Sequence, residues 1–333
     1  MNRISYRFST SLYWILAAFI TVSLVARACA DDPLPPMAEL KLVSSVDGTK
    51  QPSLLWAPKS ATQQPTPILV WLHSWSFNYR QKDALAYQTQ ALKRGWILLL
   101  PNFRGKNDNP AAGGSKLAQA DIIDALDYTL HHFQVDPNRI YLAGGSGGGH
   151  MALLMAAHHA DRFSAISAWV PITNLADWYQ FHAGAGGAER YAKGVLAVCG
   201  GLPGASTAVD AEYHARSPIY HLDNINGLHL DIAAGVHDTS VPIAHSLQTY
   251  NRIAVKQGTE QISDSEMEQL QKNGKLEAPR DTDRAIDESY GCDILLRRTT
   301  GATRVTIFDG GHVALPEACC AWLAEQQRTT TRK

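Results

Sequence analysis

The stretch Ile140-Tyr141-Leu142-Ala143-Gly144-Gly145-Ser146-Gly147-Gly148-Gly149-His150 decides the fold class. A short apolar run of β-type residues ends at Gly144, a Gly-x-Ser-x-Gly pattern follows, and a helix-forming run begins at Met151. A strand that turns sharply into a helix lifts the serine above the sheet edge and directs the first helical N–H groups at the space beside its hydroxyl. Alone, the pattern also fits an ordinary glycine-rich turn, so the rest of the chain must decide between them.

Apolar runs that predict buried strands alternate along the chain with helical patterns. The predicted strands are 39–46, 53–57, 68–72, 96–100, 139–143, 163–170, 228–234 and 303–308, and the predicted helices are 79–94, 117–133, 151–157, 241–255 and 314–324. This alternation predicts an α/β fold with a doubly wound, mostly parallel sheet flanked by helices. We expect residues 31–333 to form a single domain with two insertions, at about 172–226 and 256–298.

The first 30 residues have the pattern of a signal peptide. Arg3 and Arg7 precede the apolar run 11–25, and Ala28-Cys29-Ala30 supplies the small residues of a cleavage site. We therefore expect a secreted or periplasmic protein. An uncleaved anchor is one alternative, although the apolar run is short for a membrane span. Lipidation of Cys29 is another, and Arg27 disfavours it because lipidation signals have a small residue at that place.

Composition argues against several classes of partner. The 333 residues carry a net charge of −1, and no basic run or aromatic-basic stripe suggests nucleic acid. No second apolar stretch is long enough to span a membrane, so we expect no membrane contact once the signal is removed. No cysteine or histidine spacing suggests a metal site, and no cofactor is implied. The remaining cysteines could form disulfides after export or stay as buried thiols: Cys199, Cys292, Cys319 and Cys320.

A candidate acid and a candidate base follow two later strands. Asp238 comes shortly after the predicted strand 228–234, and His312 comes shortly after the predicted strand 303–308. Active sites of such sheets lie beyond the carboxyl ends of the strands, where Ser146 is also expected. In a triad, Ser146 attacks an acyl carbon, His312 carries its proton, and Asp238 orients the imidazole.

Other residues compete for these roles. Asp177, which follows the predicted strand 163–170, is the alternative acid. His237 adjoins Asp238, and one of two adjacent residues cannot easily reach round to orient the other, so we expect a loop histidine near the pocket. The other histidines are expected to pack inside the fold or lie on its surface: His73, His150, His158 and His159.

Acyl transfer also needs two N–H donors that stabilise the oxyanion. Gly147, directly after the serine, predicts one, and Ser74 or Trp75, in the loop after the strand 68–72, predicts the other. The first insertion supplies candidates for a substrate-binding wall, with the small core of a cap as the alternative for each. These are Trp178, Tyr179, Phe181, His182 and Tyr191, and His237 is a further candidate from the acid loop.

The assembled motifs resemble the α/β-hydrolase superfamily, and within it the catalytic domain of the prolyl oligopeptidase-like serine hydrolases. The resemblance extends over about 69–324 and includes the segments ending at His73, 102–105, 144–148, 238–242 and 310–312. The chain departs from the family where His-Gly-Gly-Pro is replaced by His73-Ser74-Trp75-Ser76, so the resemblance does not assign the second oxyanion donor to a single residue.

The resemblance implies a serine hydrolase that uses the order Ser146, Asp238, His312. The mature chain is too short for the β-propeller of the family's oligopeptidases, which favours an esterase. Small exported hydrolases of similar architecture include acetylxylan and feruloyl esterases. We therefore expect an ester of a carbohydrate or small alcohol as substrate. A peptidase acting on short peptides is the alternative, and an inactive binding module is disfavoured by the complete triad.

Overall fold

The computed structural model describes residues 33–184, 187–225 and 227–328. The predicted signal peptide and its cleavage site lie outside these residues. The described residues from Met37 onward form one compact unit. It contains the strands β1 (Ala38–Val43), β2 (Lys50–Trp56), β3 (Thr66–Leu72), β4 (Ile97–Pro101), β5 (Val135–Gly145), β6 (Ala165–Trp169), β7 (His229–Gly235), β8 (Ile294–Thr300) and β9 (Thr303–Phe308).

These strands form one sheet in the order β1-β2-β4-β3-β5-β6-β7-β9-β8. The pairings that run from β4 through β3, β5, β6 and β7 to β9 are all parallel. The pairings of β1 with β2, β2 with β4 and β8 with β9 are antiparallel and lie towards the two edges. The doubly wound, mostly parallel sheet that the sequence predicts is therefore confirmed.

Helices cover both faces of the sheet. They are α1 (Ala84–Arg94), α2 (Lys116–His132), α3 (Gly147–His158), α4 (Leu175–Ala183), α5 (Glu189–Cys199), α6 (Thr207–Ala215), α7 (Ala244–Gln257), α8 (Asp264–Asn273) and α9 (Pro316–Ala324). Successive residues of a strand point to opposite faces. In β3, Ile68 and Val70 accordingly join the core beneath α2, α3 and α7, whereas Leu69 and Trp71 join the core beneath α1 and α9.

The first predicted insertion folds as a small helical cap. Its helices α4, α5 and α6 enclose a small apolar core, and two loops of the sheet each contribute a residue to that core. Trp75, from the loop after β3, and Val241, from the loop after β7, belong to this core. The cap is therefore packed against the carboxyl edge of the sheet, where the candidate site lies.

The second predicted insertion contains a strand that the sequence analysis misses. β8 pairs with β9 at the sheet edge, and its burial alternates along the strand. The arginines and threonines of Ile294-Leu295-Leu296-Arg297-Arg298-Thr299-Thr300 hid this period-two pattern. Arg298 is buried and contacts the carboxylates of Asp283 and Glu266, so charge pairing replaces the apolar pattern on which strand prediction depends.

The described residues contain four cysteines, and all four are free thiols: Cys199, Cys292, Cys319 and Cys320. Three of them are buried and Cys292 is half-buried, in line with the alternative of thiols packed in the interior. Of the helices in the described part of the chain, none has the length and apolar character needed to cross a membrane.

Candidate active site

Ser146 lies at the turn between β5 and α3. Its backbone has φ 58° and ψ −119°, a conformation that a residue with a side chain rarely adopts. Its N–H donates to the carbonyl oxygen of Trp169, at 2.8 Å. A Cβ on Gly148 would lie 2.1 Å from the carbonyl oxygen of Leu72. The turn therefore requires glycine beside the serine, and the surrounding backbone holds Ser146 in a strained geometry typical of functional sites.

Asp238 and His312 meet across the ends of two neighbouring strands. His312 Nδ1 lies 2.7 Å from Asp238 Oδ2, and the carboxylate is inaccessible to solvent. The other oxygen, Oδ1, accepts N–H bonds from Ser240 at 2.8 Å and Val241 at 2.9 Å. Because the carboxylate accepts a hydrogen bond from Nδ1–H, His312 Nε2 is the nitrogen that remains to exchange a proton with a substrate or nucleophile.

Ser146 and His312 line the same cavity, so the structure brings the serine and the acid–base pair to one place. Asp177, the alternative acid, lies elsewhere: its Oδ2 accepts from Asn174 Nδ2 at 2.8 Å, at the start of α4. Burial raises the pKa of Asp177. The carboxylate that contacts His312 is therefore that of Asp238.

Other histidines are accounted for by structural contacts. His73 and His150 are fully buried, and burial lowers the pKa of each to about 4. His150 Nε2 lies 2.7 Å from the carbonyl oxygen of Arg216. His158 and His159 are partly exposed, away from the cavity that Ser146 lines. The expectation that these four are packing or surface residues agrees with their positions.

The loop after β3 lies directly against Gly147. A Cβ built on Gly147 would be 2.4 Å from the backbone nitrogen of Trp75. The N–H of Ser74 donates to Gln81 Oε1 at 2.8 Å, so Ser74, one of the predicted oxyanion donors, is already engaged. Of the two candidates in this loop, Trp75 is the one whose amide lies beside Gly147.

The cavity beside Ser146 has a volume of about 460 Å³. Among the described residues, its wall is mostly apolar and aromatic; it includes one carboxylate, that of Asp83, and no lysine or arginine. It is lined by Trp71, Ser74, Trp75, Ser76, Phe77, Gln81, Asp83, Ala86, Tyr87, Gly145, Ser146, Val170, Tyr191, His312, Val313, Ala314 and Pro316. Such a wall suits an uncharged group bound beside the serine.

Most of the residues predicted to bind substrate do not reach this cavity. Trp178 and His182 are buried in the cap, and Tyr179 packs against the same core. His237 is exposed and its Nε2 contacts Asp309 Oδ1 at 3.0 Å, outside the cavity. These four residues therefore lie outside the wall of the cavity beside Ser146, and a role for them in substrate binding stays a prediction. Among the aromatic candidates of the first insertion, only Tyr191 lines the cavity.

Sequence reasoning missed Phe77 and Tyr87, two aromatic residues of the cavity wall that come from outside the insertion. Phe77 belongs to the loop after β3, and Tyr87 belongs to α1; both line the cavity. Position in the sequence could have identified Phe77, because loops that follow parallel strands lie at the carboxyl edge of the sheet, where the active site is expected. No group of three or more His, Cys, Asp or Glu side chains is placed to hold a metal ion within the described ranges.

A family model for the prolyl oligopeptidase family matches residues 84–269. This match is more than half of the chain and includes both Ser146 and Asp238. The chain belongs to the prolyl oligopeptidase family. It is accordingly a serine hydrolase with the α/β-hydrolase fold, as the motifs predicted.

Curated relatives of this prolyl oligopeptidase family member include acylamino-acid-releasing enzymes and S-formylglutathione hydrolases. The chain is 28% identical over 183 residues to the acylamino-acid-releasing enzyme of Arabidopsis thaliana, an alignment that covers 50% of this chain and 22% of that protein. It is 27% identical over 152 residues to the S-formylglutathione hydrolase of Mus musculus, covering 37% and 53% respectively. The chain thus spans between about a fifth and about half of these relatives' lengths.

Solved structures support the fold. The acylaminoacyl peptidase of Pyrococcus horikoshii superposes with a TM-score of 0.59 at 16% identity, over 90% of this chain and 41% of that one. A prolyl endopeptidase structure superposes with a TM-score of 0.58 at 15% identity, over 88% and 39%. At such identities the likeness establishes the architecture of this family member and leaves its substrate open.

Proposed function

We propose that the protein hydrolyses carboxylic esters through a covalent acyl-Ser146, with a carbohydrate or a small alcohol as the leaving group. The observation that carries the proposal is the pairing of His312 with the buried Asp238 at the cavity that Ser146 opens onto. A strained serine turn, a buried carboxylate and an imidazole that contacts this carboxylate and lines the cavity of the serine are the parts that acyl transfer requires.

The proposed reaction has two halves. Ser146 Oγ forms a bond to the carbonyl carbon while its proton moves to His312 Nε2, and the oxyanion is stabilised by the N–H groups of Gly147 and Trp75. The intermediate then expels the alcohol, which takes the proton from His312. Water, deprotonated by His312, then attacks the carbonyl carbon of acyl-Ser146. As the second tetrahedral intermediate collapses, the bond to Ser146 Oγ breaks, Oγ takes the proton from His312 and the carboxylic acid is released.

The cavity wall supports an uncharged acyl or sugar group. Phe77 is 53% exposed while lining the cavity, and Tyr191 contributes a second aromatic ring from the cap. Aromatic faces of this kind pack against acyl groups and sugar rings. Of the described residues that line the cavity, Asp83 alone carries a permanent charge, so anionic acyl groups such as succinyl are expected to be poor substrates.

A peptidase acting on acylated amino acids is the second candidate. The matches to acylamino-acid-releasing enzymes favour it, and Asp83 could attract an amine. We place the ester first because an alcohol leaves a tetrahedral intermediate more readily than an amine, so less anchoring of the leaving group is needed. The N-terminal pattern supports export as part of the proposal, and fractionation of cells expressing the full chain tests it.

The decisive experiment compares 4-nitrophenyl acetate with N-acetylalanine 4-nitroanilide. We expect ester cleavage by the wild-type protein, with kcat/KM falling at least about 10⁴-fold in Ser146→Ala and about 10⁴-fold in Asp238→Asn. Asp177→Asn is the matched control for the acid and should retain wild-type activity. Cleavage of the anilide in preference to the ester would replace the first candidate with the second.

A fluorophosphonate probe separates the remaining outcomes. Covalent labelling of wild-type protein but not of Ser146→Ala is expected, because only an activated serine reacts with the probe. A folded wild-type protein that neither reacts with the probe nor cleaves the ester would refute the enzymatic proposal. The binding-module alternative would then be tested by capture on immobilised xylan and pectin.

A further inference from the structure

Two side chains of α4 donate hydrogen bonds to one carbonyl oxygen. Trp178 Nε1 lies 2.9 Å from the oxygen of Ser240, and His182 Nε2 lies 2.9 Å from the same atom. Trp178 is 1% exposed and His182 is 3% exposed. Two buried donors therefore satisfy both lone pairs of a single backbone acceptor, which fixes its position more tightly than one donor would.

Ser240 belongs to the loop that carries the acid. Its own N–H donates to Asp238 Oδ1 at 2.8 Å, and the next N–H, that of Val241, donates to the same oxygen at 2.9 Å. Asp238 Oδ2 in turn contacts His312 Nδ1. A continuous chain of hydrogen bonds thus runs from α4 through Ser240 to the candidate acid and base.

His182 is held in the tautomer that this chain requires. Its Nδ1 accepts the backbone N–H of Ala188 at 3.0 Å, which leaves the proton on Nε2 for the bond to Ser240. Burial lowers the pKa of His182, which favours the neutral ring. The backbone N–H of Ala188 therefore determines that Nε2 is the ring nitrogen that carries the proton.

Trp178 also links α4 to the loop beside Gly147. Its ring packs edge-on against the ring of Trp75, with the centroids 4.9 Å apart. Trp75 is the residue whose backbone nitrogen lies against Gly147. One side chain of the cap is consequently in contact with both loops that the proposed reaction uses.

We propose that Trp178 and His182 are positioning residues, which hold Asp238 in register with His312 by fixing the carbonyl of Ser240. This inference rests on the proposed function, because it concerns the acid of that reaction. Displacement of a reacting group by about 1 Å can lower a rate by about 10²-fold. The cap would thus set the rate of the chemical step in addition to shaping the cavity.

The test uses substitutions that remove the donors and preserve the packing. Trp178→Phe keeps an aromatic ring but removes Nε1–H, and His182→Leu removes both ring nitrogens. We expect each to lower kcat for 4-nitrophenyl acetate by roughly 10- to 100-fold and to change KM by less than about 3-fold. His182→Gln, whose amide supplies one donor and one acceptor, should recover most of the activity lost in His182→Leu.

Two matched controls separate positioning from general damage. Trp96→Phe alters a buried tryptophan outside the cap core, in the core beneath α1 and α9. His221→Leu removes a histidine of the same insertion whose Nε2 lies 2.9 Å from a different carbonyl oxygen, that of His214. Both should retain kcat within about 2-fold, and thermal unfolding monitors the stability of every variant.

A double-mutant cycle gives the result that could overturn the inference. If Trp178 acts through the acid, Trp178→Phe should change the rate of fluorophosphonate labelling by less than about 2-fold once Asp238 is already Asn. Equal effects in both backgrounds, or wild-type kcat in folded Trp178→Phe and His182→Leu, would refute it. Absence of Ser146-dependent activity in the wild-type protein would instead refute the proposed function itself.

Discussion

Gly147 is the residue at which the serine turn and the loop after β3 come closest. Both of the nearest atoms to a Cβ at this position are backbone atoms of Trp75, at 2.4 Å and 2.6 Å. Neither can swing aside as the end of a flexible side chain could. Any side chain here must therefore push the backbone N–H groups of Gly147 and Trp75 apart. These are the two groups that stabilise the oxyanion in the proposed mechanism.

We predict that Gly147→Ala leaves a folded protein with a kcat about 10²- to 10³-fold lower, comparable to the loss of one oxyanion donor. The measurement is steady-state hydrolysis of 4-nitrophenyl acetate, with far-ultraviolet circular dichroism to verify the fold. Gly201→Ala is the control, because a Cβ there meets its nearest atom at an ordinary 3.4 Å. Unchanged kcat in Gly147→Ala would remove Gly147 and Trp75 from the oxyanion site.

At this scale, the three triad candidates lie at one edge of the sheet, as the sequence predicts, and their catalytic roles stay predictions. Each of Ser146, Asp238 and His312 follows a strand, and parallel strands bring their carboxyl ends to one edge. The choice between Ser74 and Trp75 could not be made from sequence. It depends on Gln81, seven residues further on, whose side chain folds back to accept the Ser74 N–H.

At the scale of elements, α4 illustrates why aromatic content alone did not identify the substrate wall. Trp178 and His182 are four residues apart and therefore share one face of the helix, and that face turns towards Ser240 and the cap core. A sequence shows which residues share a face but not which neighbour the face meets. Tyr191, on α5, lines the cavity, and its ring centroid lies 5.2 Å from that of Trp178 on α4.

The missed strand β8 carries the buried charge cluster of the second insertion. Arg298 donates to both oxygens of Asp283, at 2.6 Å and 2.8 Å, and to Glu266 Oε1 at 2.7 Å. Asp283 is inaccessible to solvent. Burial opposes ionisation of Glu266, yet hydrogen bonds from Arg298 and Ser263 outweigh it and lower the pKa of that carboxyl to about 2.

We predict that Arg298→Met lowers the free energy of unfolding by about 3–5 kcal/mol, because it leaves the carboxylate of Asp283 buried without its partner. Urea denaturation followed by tryptophan fluorescence measures the change. Arg280→Met is the control: it removes an exposed pair with Glu260, for which a loss below about 1 kcal/mol is expected. Equal losses in the two variants would contradict the assignment of a buried cluster.

At the scale of the whole molecule, buried neutral histidines link stability to pH. Burial lowers the pKa of His73, His150 and His245 to about 4 each, from a model-peptide value of 6.5. Between these two pH values the unfolded chain binds protons at the three rings and the folded chain does not. Stability must therefore fall as the pH falls through this window.

We predict a loss of stability between about pH 6.5 and pH 4, with a slope of up to about 1.4 kcal/mol per pH unit for each of the three histidines. Urea denaturation across this range measures the slope. In His150→Gln the slope should be shallower, whatever the variant's stability at neutral pH. A slope identical to that of the wild-type protein would show that His150 is not held neutral by the fold.

The convergence of Trp178 and His182 on the carbonyl of Ser240 bears on how this scaffold can be re-engineered. Segments that follow sheet strands are attractive units for exchange between homologous enzymes, since they carry much of the substrate wall. Here residues 172–226 also contain the anchors of the acid loop. We therefore expect a chimaera that carries a foreign cap on this sheet to acquire a new specificity together with a slower catalytic step, unless the new cap also supplies donors for that carbonyl.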